Sequence, residues 1–404
     1  MKKSIILIVM DGLGDRPAKS LNNRTPLESA YTPNMNHMAR NGISGLLYPV
    51  HPGIVCGSDT SHLSLLGYNP EEVYTGRGPF EAMGLGMNVN QGDVAFRANF
   101  ATREGEIIKD RRAGRIEQST EELSEAISMD IEDIQIRVSS GVEHRAALVM
   151  HGPGLSGDVS DSDPHEINKK VRKVDPRNDK AEKTARVINE FLERSRKILD
   201  EHPLNLSRIR NGKMPANEIL LRGAGQAPFL TSFQEKYGMK GAYIIGIPMI
   251  KGLAEMVGLA KIDVPGITGG KNTNYMEKLR YARDNSEKYD FILMNIKAPD
   301  AAAHDMNPEE KRQVIEKTDE AMGQILGIED SSLIILTGDH STSSITGEHT
   351  GDPVPVTFYT GGIRRIGAPA FNEKSCSKTG FSLESGSLMN FAMQLTDRLE
   401  KYGA

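Results

Sequence analysis

Three short, continuously apolar segments each lead into a polar loop that contains an aspartate. The segments are rich in β-branched residues and show no alternation of polar and apolar positions, which predicts strands buried on both faces of a sheet. The three segments and their aspartates are Ile5–Met10 with Asp11, Phe291–Ile296 with Asp300, and Leu333–Leu336 with Asp339.

Helical patterns alternate with these strands towards both ends of the chain, at 26–42, 249–258, 278–285 and 308–326. Alternating strands and helices are typical of an α/β domain with a mostly parallel sheet and helices on both faces. We therefore predict one discontinuous core domain made of residues 1–88 and 238–404.

The middle of the chain has a different pattern. Residues 93–102 alternate like an antiparallel strand, and 137–150 resemble two short strands around a turn. Residues 179–202 have apolar positions at helical spacing. This mixture predicts an α+β domain, residues 89–237, inserted into the core.

Composition narrows the class of protein. A hydrophobic content of 38% and a net charge of -5 are ordinary for a globular protein and argue against a nucleic-acid-binding surface. Two cysteines cannot form a disulfide framework, and the first apolar segment is too short for a signal peptide. No segment approaches the length of a membrane span. We expect a cytoplasmic protein without membrane partners, and a homo-oligomer remains open.

The ends of the predicted strands carry a candidate metal site. Ligands of open parallel sheets bind at the carboxyl ends of strands, where these aspartates lie beside histidines. Asp300 and His304 are four residues apart, which places them on one face of a helical turn. Each residue alone is more often structural, but together they suit one or two Mn²⁺ or Zn²⁺ ions. The candidate ligands are Asp11, Asp300, Asp339, His304, His340 and His349.

Ser58 begins a predicted helix in which Gly67 is a plausible end. A serine at this position is most often an N-cap. Beside two metal ions, it becomes a candidate nucleophile.

These motifs resemble the alkaline phosphatase superfamily and, within it, the archaeal-type cofactor-independent phosphoglycerate mutases. The resemblance covers nearly the whole chain; the metal motifs are specific to the superfamily, and the motifs of the insert select the mutase. The motifs are Ser-Asp-Thr-Ser-His (58–62), Lys-Ala-Pro-Asp (297–300) with His304, Gly-Asp-His-Ser-Thr (338–342) with His349, and the insert segments 140–145, 160–165 and 220–225.

The resemblance implies an alkaline-phosphatase-like core, two divalent metal ions and no 2,3-bisphosphoglycerate. Mn²⁺ is the first candidate, with Zn²⁺, Co²⁺ and Mg²⁺ as others. One ion would be held by Asp300, His304 and His349. The other would be held by Asp11, Ser58, Asp339 and His340.

The implied activity is that of an isomerase of glycolysis and gluconeogenesis, which interconverts 3-phosphoglycerate and 2-phosphoglycerate with Ser58 as the phosphate acceptor. The insert would act as a lid that holds the substrate, with Lys251 of the core as a further phosphate contact. The candidate substrate-binding residues of the insert are Arg112, Arg115, His144, Asp161, Asp163 and Arg222. A metal-dependent phosphatase or phosphonate hydrolase on the same core, and a non-catalytic metal- or phosphate-binding relative, are the alternatives.

Overall fold

The computed structural model describes residues 2–401 and 403. The strands are β1 (Ser4–Met10), β2 (Ile43–Tyr48), β3 (Val94–Glu104), β4 (Ile107–Asp110), β5 (Met129–Ile131), β6 (Ile134–Ser140), β7 (Arg145–His151), β8 (Glu218–Gln226), β9 (Gly241–Ile244), β10 (Ala260–Lys261), β11 (Phe291–Ile296), β12 (Ser332–Thr337), β13 (Ser341–Thr342), β14 (His349–Thr350), β15 (Val354–Tyr359) and β16 (Ser382–Glu384). The α-helices are α1 (Pro26–Ser29), α2 (Pro33–Asn41), α3 (Ser58–Leu65), α4 (Pro70–Val73), α5 (Gly78–Gly84), α6 (Thr120–Ile127), α7 (Glu182–Glu201), α8 (Pro203–Arg210), α9 (Phe233–Tyr237), α10 (Pro248–Met256), α11 (Tyr275–Asp284), α12 (Ala298–His304), α13 (Pro308–Met322), α14 (Glu373–Cys376) and α15 (Leu388–Leu395).

The chain divides into two compact units. The first contains the described residues up to Glu72 and from Thr231 onward, and the second is Val73–Leu230. Helix α5 belongs to the second unit because it packs against β3, β7 and β8. The sequence boundary at residues 88 and 89 placed this helix in the first unit. The role of the second unit as a lid stays a prediction.

The first unit is built on an eight-stranded sheet of order β10-β9-β11-β1-β12-β15-β2-β16. Strand β1 lies between β11 and β12 and is parallel to both, with Ile5 opposite Phe291 and Leu333. Every residue of these three strands is buried, which explains their continuous apolar sequences. The sheet is mixed, because β15 is antiparallel to both β12 and β2.

The parallel register brings the ends of the three strands together. Met10 pairs with Ile296, and Val9 pairs with Thr337. The loops that follow these residues therefore leave the sheet at one edge, and they carry the three aspartates of the predicted metal site.

The second unit contains an antiparallel sheet of order β4-β3-β7-β6-β5, with β8 also paired to β3. The predicted helix at 179–202 begins with a 3-10 turn (Asp179–Ala181) and continues as α7, whose Val187, Phe191 and Leu199 are buried. Pro203 starts α8 directly after it.

The predicted helix at 26–42 is two helices, α1 and α2. Pro33 disfavours helical geometry at Thr32, which has φ −129° and ψ 62°. The buried Asp319 of α13 accepts hydrogen bonds from the backbone N–H groups of Asn34 and Met35, so it caps α2. Among the described helices, none is long and apolar enough to cross a membrane.

Candidate active site

Four predicted residues meet at the edge of the first unit's sheet. Nε2 of His340 lies 3.6 Å from Oδ1 of Asp11 and 3.4 Å from Oδ2 of Asp339. Oγ of Ser58 lies 3.3 Å from Oδ1 of Asp11 and 3.1 Å from Nε2 of His340. All four side chains are buried. We call Asp11, Ser58, Asp339 and His340 the first ligand group because the sequence predicts that they hold one ion, and that role stays a prediction.

The second ligand group consists of Asp300, His304 and His349. Helix α12 places Nε2 of His304 3.3 Å from Oδ2 of Asp300, as the spacing of four residues predicts. Nε2 of His349 lies 3.7 Å from Oδ1 of Asp300 and 3.3 Å from Nε2 of His304. The rings of His340 and His349 are stacked with centroids 3.8 Å apart, so the two groups adjoin.

Ser58 occupies the first turn of α3 rather than its N-cap, which is Gly57. Nζ of Lys297 lies 3.4 Å from Oγ of Ser58 and can donate a hydrogen bond to it. The hydroxyl therefore faces Asp11, His340 and Lys297 instead of capping the helix backbone. This position is compatible with a nucleophile, and that role stays a prediction.

The second unit contains a cavity of about 370 Å³ lined mostly by arginine side chains. Four of the residues predicted to bind substrate lie in its wall, and five more residues complete it. The predicted ones are Arg112, Arg115, His144 and Arg222; the others are Arg97, Asn99, Arg111, Glu143 and Arg145. Guanidinium groups suit carboxylate and phosphate because each can offer two parallel hydrogen bonds.

The remaining candidates lie outside this wall. Both carboxylate oxygens of Asp163 accept hydrogen bonds from Arg111, and Asp161 accepts from the N–H of Gly223 on β8. Asp163 thus orients a lining arginine, and Asp161 holds the backbone next to Arg222. Lys251 lies on α10 in the first unit, with its Nζ 3.7 Å from Glu255. Its role as a phosphate contact stays a prediction.

Comparison with known proteins identifies the family. A family model described as 2,3-bisphosphoglycerate-independent phosphoglycerate mutase matches residues 39–205. Proteins of that name from Thermoplasma volcanium and Thermoplasma acidophilum are 52% and 50% identical to the chain; each alignment covers 100% of this chain and 99% or 100% of the relative. The chain belongs to the 2,3-bisphosphoglycerate-independent phosphoglycerate mutase family.

Solved structures agree with this membership. The cofactor-independent phosphoglycerate mutase from Thermoplasma acidophilum has a TM-score of 0.76 and 46% identity, over 98% of this chain and 100% of its own. A protein from Pyrococcus horikoshii has a TM-score of 0.88 and 36% identity over the whole of both chains. The predicted family is confirmed, and the chain is a cofactor-independent phosphoglycerate mutase, an isomerase.

The ligand groups of this mutase fit divalent ions. Ligand atoms of Asp11, Asp339 and His340 lie within 4.8 Å of one another, as do those of Asp300, His340 and His349. Oδ2 of Asp339 is buried and has no hydrogen-bond partner among the described residues, although it faces His62 and His340. A buried acceptor without a donor, surrounded by carboxylates and imidazoles, is the setting that a transition-metal ion satisfies.

The buried carboxyl groups and the neutral imidazole of the site favour the binding of cations. Burial and the neighbouring Asp339 raise the pKa of Asp11 to about 8. Burial also acts to raise the pKa of Asp300, but the hydrogen bond from His304 and the charge of Lys297 outweigh it and hold that pKa below its usual range. Burial lowers the pKa of His340 to about 4, so its imidazole is neutral and able to act as a ligand.

Three further residues of this site were not predicted from the sequence. Nζ of Lys297 lies 2.8 Å from Asp11 and 2.6 Å from Asp300, so one ammonium contacts both ligand groups. Nδ1 of His62 lies 2.7 Å from the carbonyl of Ser58, and Asn295 donates to Asp11. Sequence signals could have found two of them: His62 is four residues after Ser58 on the same helix face, and Lys297 begins the motif that contains Asp300.

Proposed function

We propose that this mutase interconverts 3-phosphoglycerate and 2-phosphoglycerate, as a step of glycolysis and gluconeogenesis, through a phosphoserine at Ser58. The observation that carries the proposal is the position of Oγ of Ser58. It lies within hydrogen-bond distance of Asp11, His340 and Lys297, at the strand ends where the two ligand groups adjoin.

Asp11, Ser58, Asp339 and His340 would hold one divalent ion, and Asp300, His304 and His349 the other. Carboxylate and imidazole donors suit Mn²⁺, with Zn²⁺, Co²⁺ and Mg²⁺ as further candidates. When bound, such ions supply Lewis acidity that stabilises the charge on a transferring phosphoryl group and favours ionisation of a nearby hydroxyl.

The chain's own residues then account for the transfer. Oγ of Ser58 forms a bond to the phosphorus of 3-phosphoglycerate while the bond from phosphorus to the substrate's 3-oxygen breaks. The proton of the Ser58 hydroxyl is taken up by the departing oxygen. Lys297 stabilises the developing charge through its contact with Oγ. The same steps in reverse, with the 2-hydroxyl of glycerate as the acceptor, give 2-phosphoglycerate.

A mutase must also retain glycerate while the phosphoryl group is on the serine. The arginine-lined cavity of the second unit offers charge-assisted hydrogen bonds to the carboxylate of glycerate. Arg112, Arg115, Arg222 and His144 are the candidates for this contact. A phosphatase has no need to retain the alcohol that it releases, so this cavity favours transfer back to glycerate over transfer to water.

The test is conversion of 3-phosphoglycerate to 2-phosphoglycerate without added 2,3-bisphosphoglycerate, with inorganic phosphate measured alongside. We expect isomer formation with little phosphate release, and phosphate as the main product would support the phosphatase instead. Ser58→Ala should abolish the conversion, whereas Ser61→Ala on the same helix should not. A Ser58→Ala variant with normal turnover would exclude the phosphoserine.

A further inference from the structure

A buried ion pair outside both ligand groups joins the loops that carry them. Lys311 of α13 and Asp15, in the loop after β1, both have side chains that are 0% exposed, and Nζ lies 2.9 Å from Oδ2 of Asp15. The same ammonium donates to the carbonyl oxygens of Gly14, at 2.9 Å, and Thr342, at 2.8 Å. All three of its protons are therefore used.

Asp15 completes the connection from its side. Its two carboxylate oxygens accept from the N–H of Ser344, at 3.0 and 3.1 Å. One ion pair thus fixes the loop after Asp11 to the backbone of the segment between His340 and His349. Both of these loops carry predicted metal ligands.

The residue held by Lys311 contacts both ligand groups. The hydroxyl of Thr342 donates to Oδ1 of Asp300 at 2.7 Å and lies 3.0 Å from Nδ1 of His340. Because its one proton is given to Asp300, its oxygen is left to accept from His340. Nε2 of His340 then carries no proton, so its lone pair faces Ser58 and Asp339 as that of a metal ligand would.

Stability alone does not account for this pair. Removing two charges from water costs several kcal/mol per ion, and well-packed apolar residues of similar volume often stabilise a protein equally well. The pair also fixes geometry, because its five hydrogen bonds hold two loops in place relative to helix α13.

We propose that Asp15 and Lys311 are positioning residues that hold the Thr342 hydroxyl between the two ligand groups and so set the spacing of the two metal sites. The inference rests on the proposed two-ion function. It assigns the pair no contact with substrate.

The experiment is a titration of the metal-free protein with Co²⁺, whose visible absorption reports the number and geometry of ligands. Asp15→Asn keeps the shape of the side chain but removes the charge and one acceptor. We expect Co²⁺ affinity to fall about 10- to 100-fold and the spectrum to change, as for other residues that orient metal ligands. Thr342→Val should reproduce this loss while leaving the ion pair intact, and Thr342→Ser should restore affinity.

The matched control is Glu218→Gln in the second unit. Glu218 is also fully buried and is paired with Arg196 at 2.8 Å. Its loss should lower the melting temperature but leave Co²⁺ affinity within about twofold. All titrations are made well below each variant's melting temperature.

Each outcome decides one question. If the wild-type protein binds no Co²⁺, the proposed metal-dependent function fails and the inference fails with it. If the wild type binds Co²⁺ but folded Asp15→Asn or Thr342→Val binds it equally well with an unchanged spectrum, the inference is overturned and the function stands. An equal loss of affinity in Glu218→Gln would also overturn it. Should Asp15→Asn not fold, Lys311→Gln, which removes the other charge of the pair, takes its place under the same criterion.

Discussion

Replacing Lys297 by methionine should destabilise the metal-free enzyme far more than the metal-loaded one. The ammonium contacts Asp11 and Asp300, whose carboxyl groups are fully buried, and it is itself only 22% exposed. Methionine keeps most of the apolar stem but removes the charge. In chelator, where no metal ion can replace the ammonium, the buried carboxyl groups of Asp11 and Asp300 are left without this cation.

The size of the effect follows from the two contacts. At an effective dielectric constant of about 20, unit charges at the 2.6 Å separation of Lys297 and Asp300 attract by about 6 kcal/mol. Removing one partner of a buried pair costs about 3–5 kcal/mol net. Burial and Asp339 raise the pKa of Asp11 to about 8, so Asp11 can take up a proton when Lys297 is lost, and the contact with Asp300 contributes most of the loss. We therefore expect a loss near the lower end, about 3 kcal/mol.

The assay is urea unfolding at pH 7 in chelator and in saturating Mn²⁺. With Mn²⁺ the loss should shrink to about 1 kcal/mol or less, because the bound ions supply the positive charge. Lys3→Met is the control: Lys3 precedes the opposite end of β1 and donates to Glu329, Thr360 and Gly361. Its effect should be the same with and without metal. An equal loss for Lys297→Met in both conditions would refute the reasoning, as would no loss in chelator.

Three further outcomes are expected. Chelation should abolish mutase activity and added Mn²⁺ should restore it, because the two ligand groups suit divalent ions; full activity in chelator would contradict the metal site. His349→Ala and Asp339→Asn should each remove about one Mn²⁺ per chain, counted by electron paramagnetic resonance, because the two residues belong to different ligand groups. Only Asp339→Asn should weaken binding of the ion beside Ser58. Equal loss of both ions in either variant would contradict the assignment of these residues to two separate groups. Arg222→Met should raise KM for 3-phosphoglycerate about 10- to 100-fold, since a charge-assisted hydrogen bond contributes about 1.5–3 kcal/mol. Arg137→Met, which removes a partly buried arginine of the same unit paired with Asp130, should leave KM unchanged. An unchanged KM for Arg222→Met would exclude the contact.

The positions of the candidate ligands could be found in the sequence because their pattern is local, and their role as metal ligands stays a prediction. Asp11, Asp339 and Asp300 follow buried apolar strands by one, two and four residues, and the carboxyl ends of parallel strands share one edge of a sheet. The family followed from the same motifs, together with those of the insert. Metal identity, the phosphoserine, a cytoplasmic location and the oligomeric state stay predictions.

Other contacts that were not predicted join residues that are distant in sequence. Asp319 caps α2 from α13, and Lys311 holds Gly14 and Thr342. No spacing rule connects such positions, because their proximity arises only when the helices pack. In the same way, strand β15 could not be assigned its antiparallel direction from its own apolar sequence.

The central position of β1 has a consequence for biosynthesis. Its neighbours in the sheet are β11 and β12, which leave the ribosome only after the entire second unit has been translated. The antiparallel hairpins of that unit join residues that are close in sequence, so we expect it to fold while β1 still lacks partners. Asp11 and Ser58 can meet Asp339 only when the last quarter of the chain emerges. A prematurely terminated product would therefore expose an unpaired apolar strand and lack both the active centre and its capacity to retain metal.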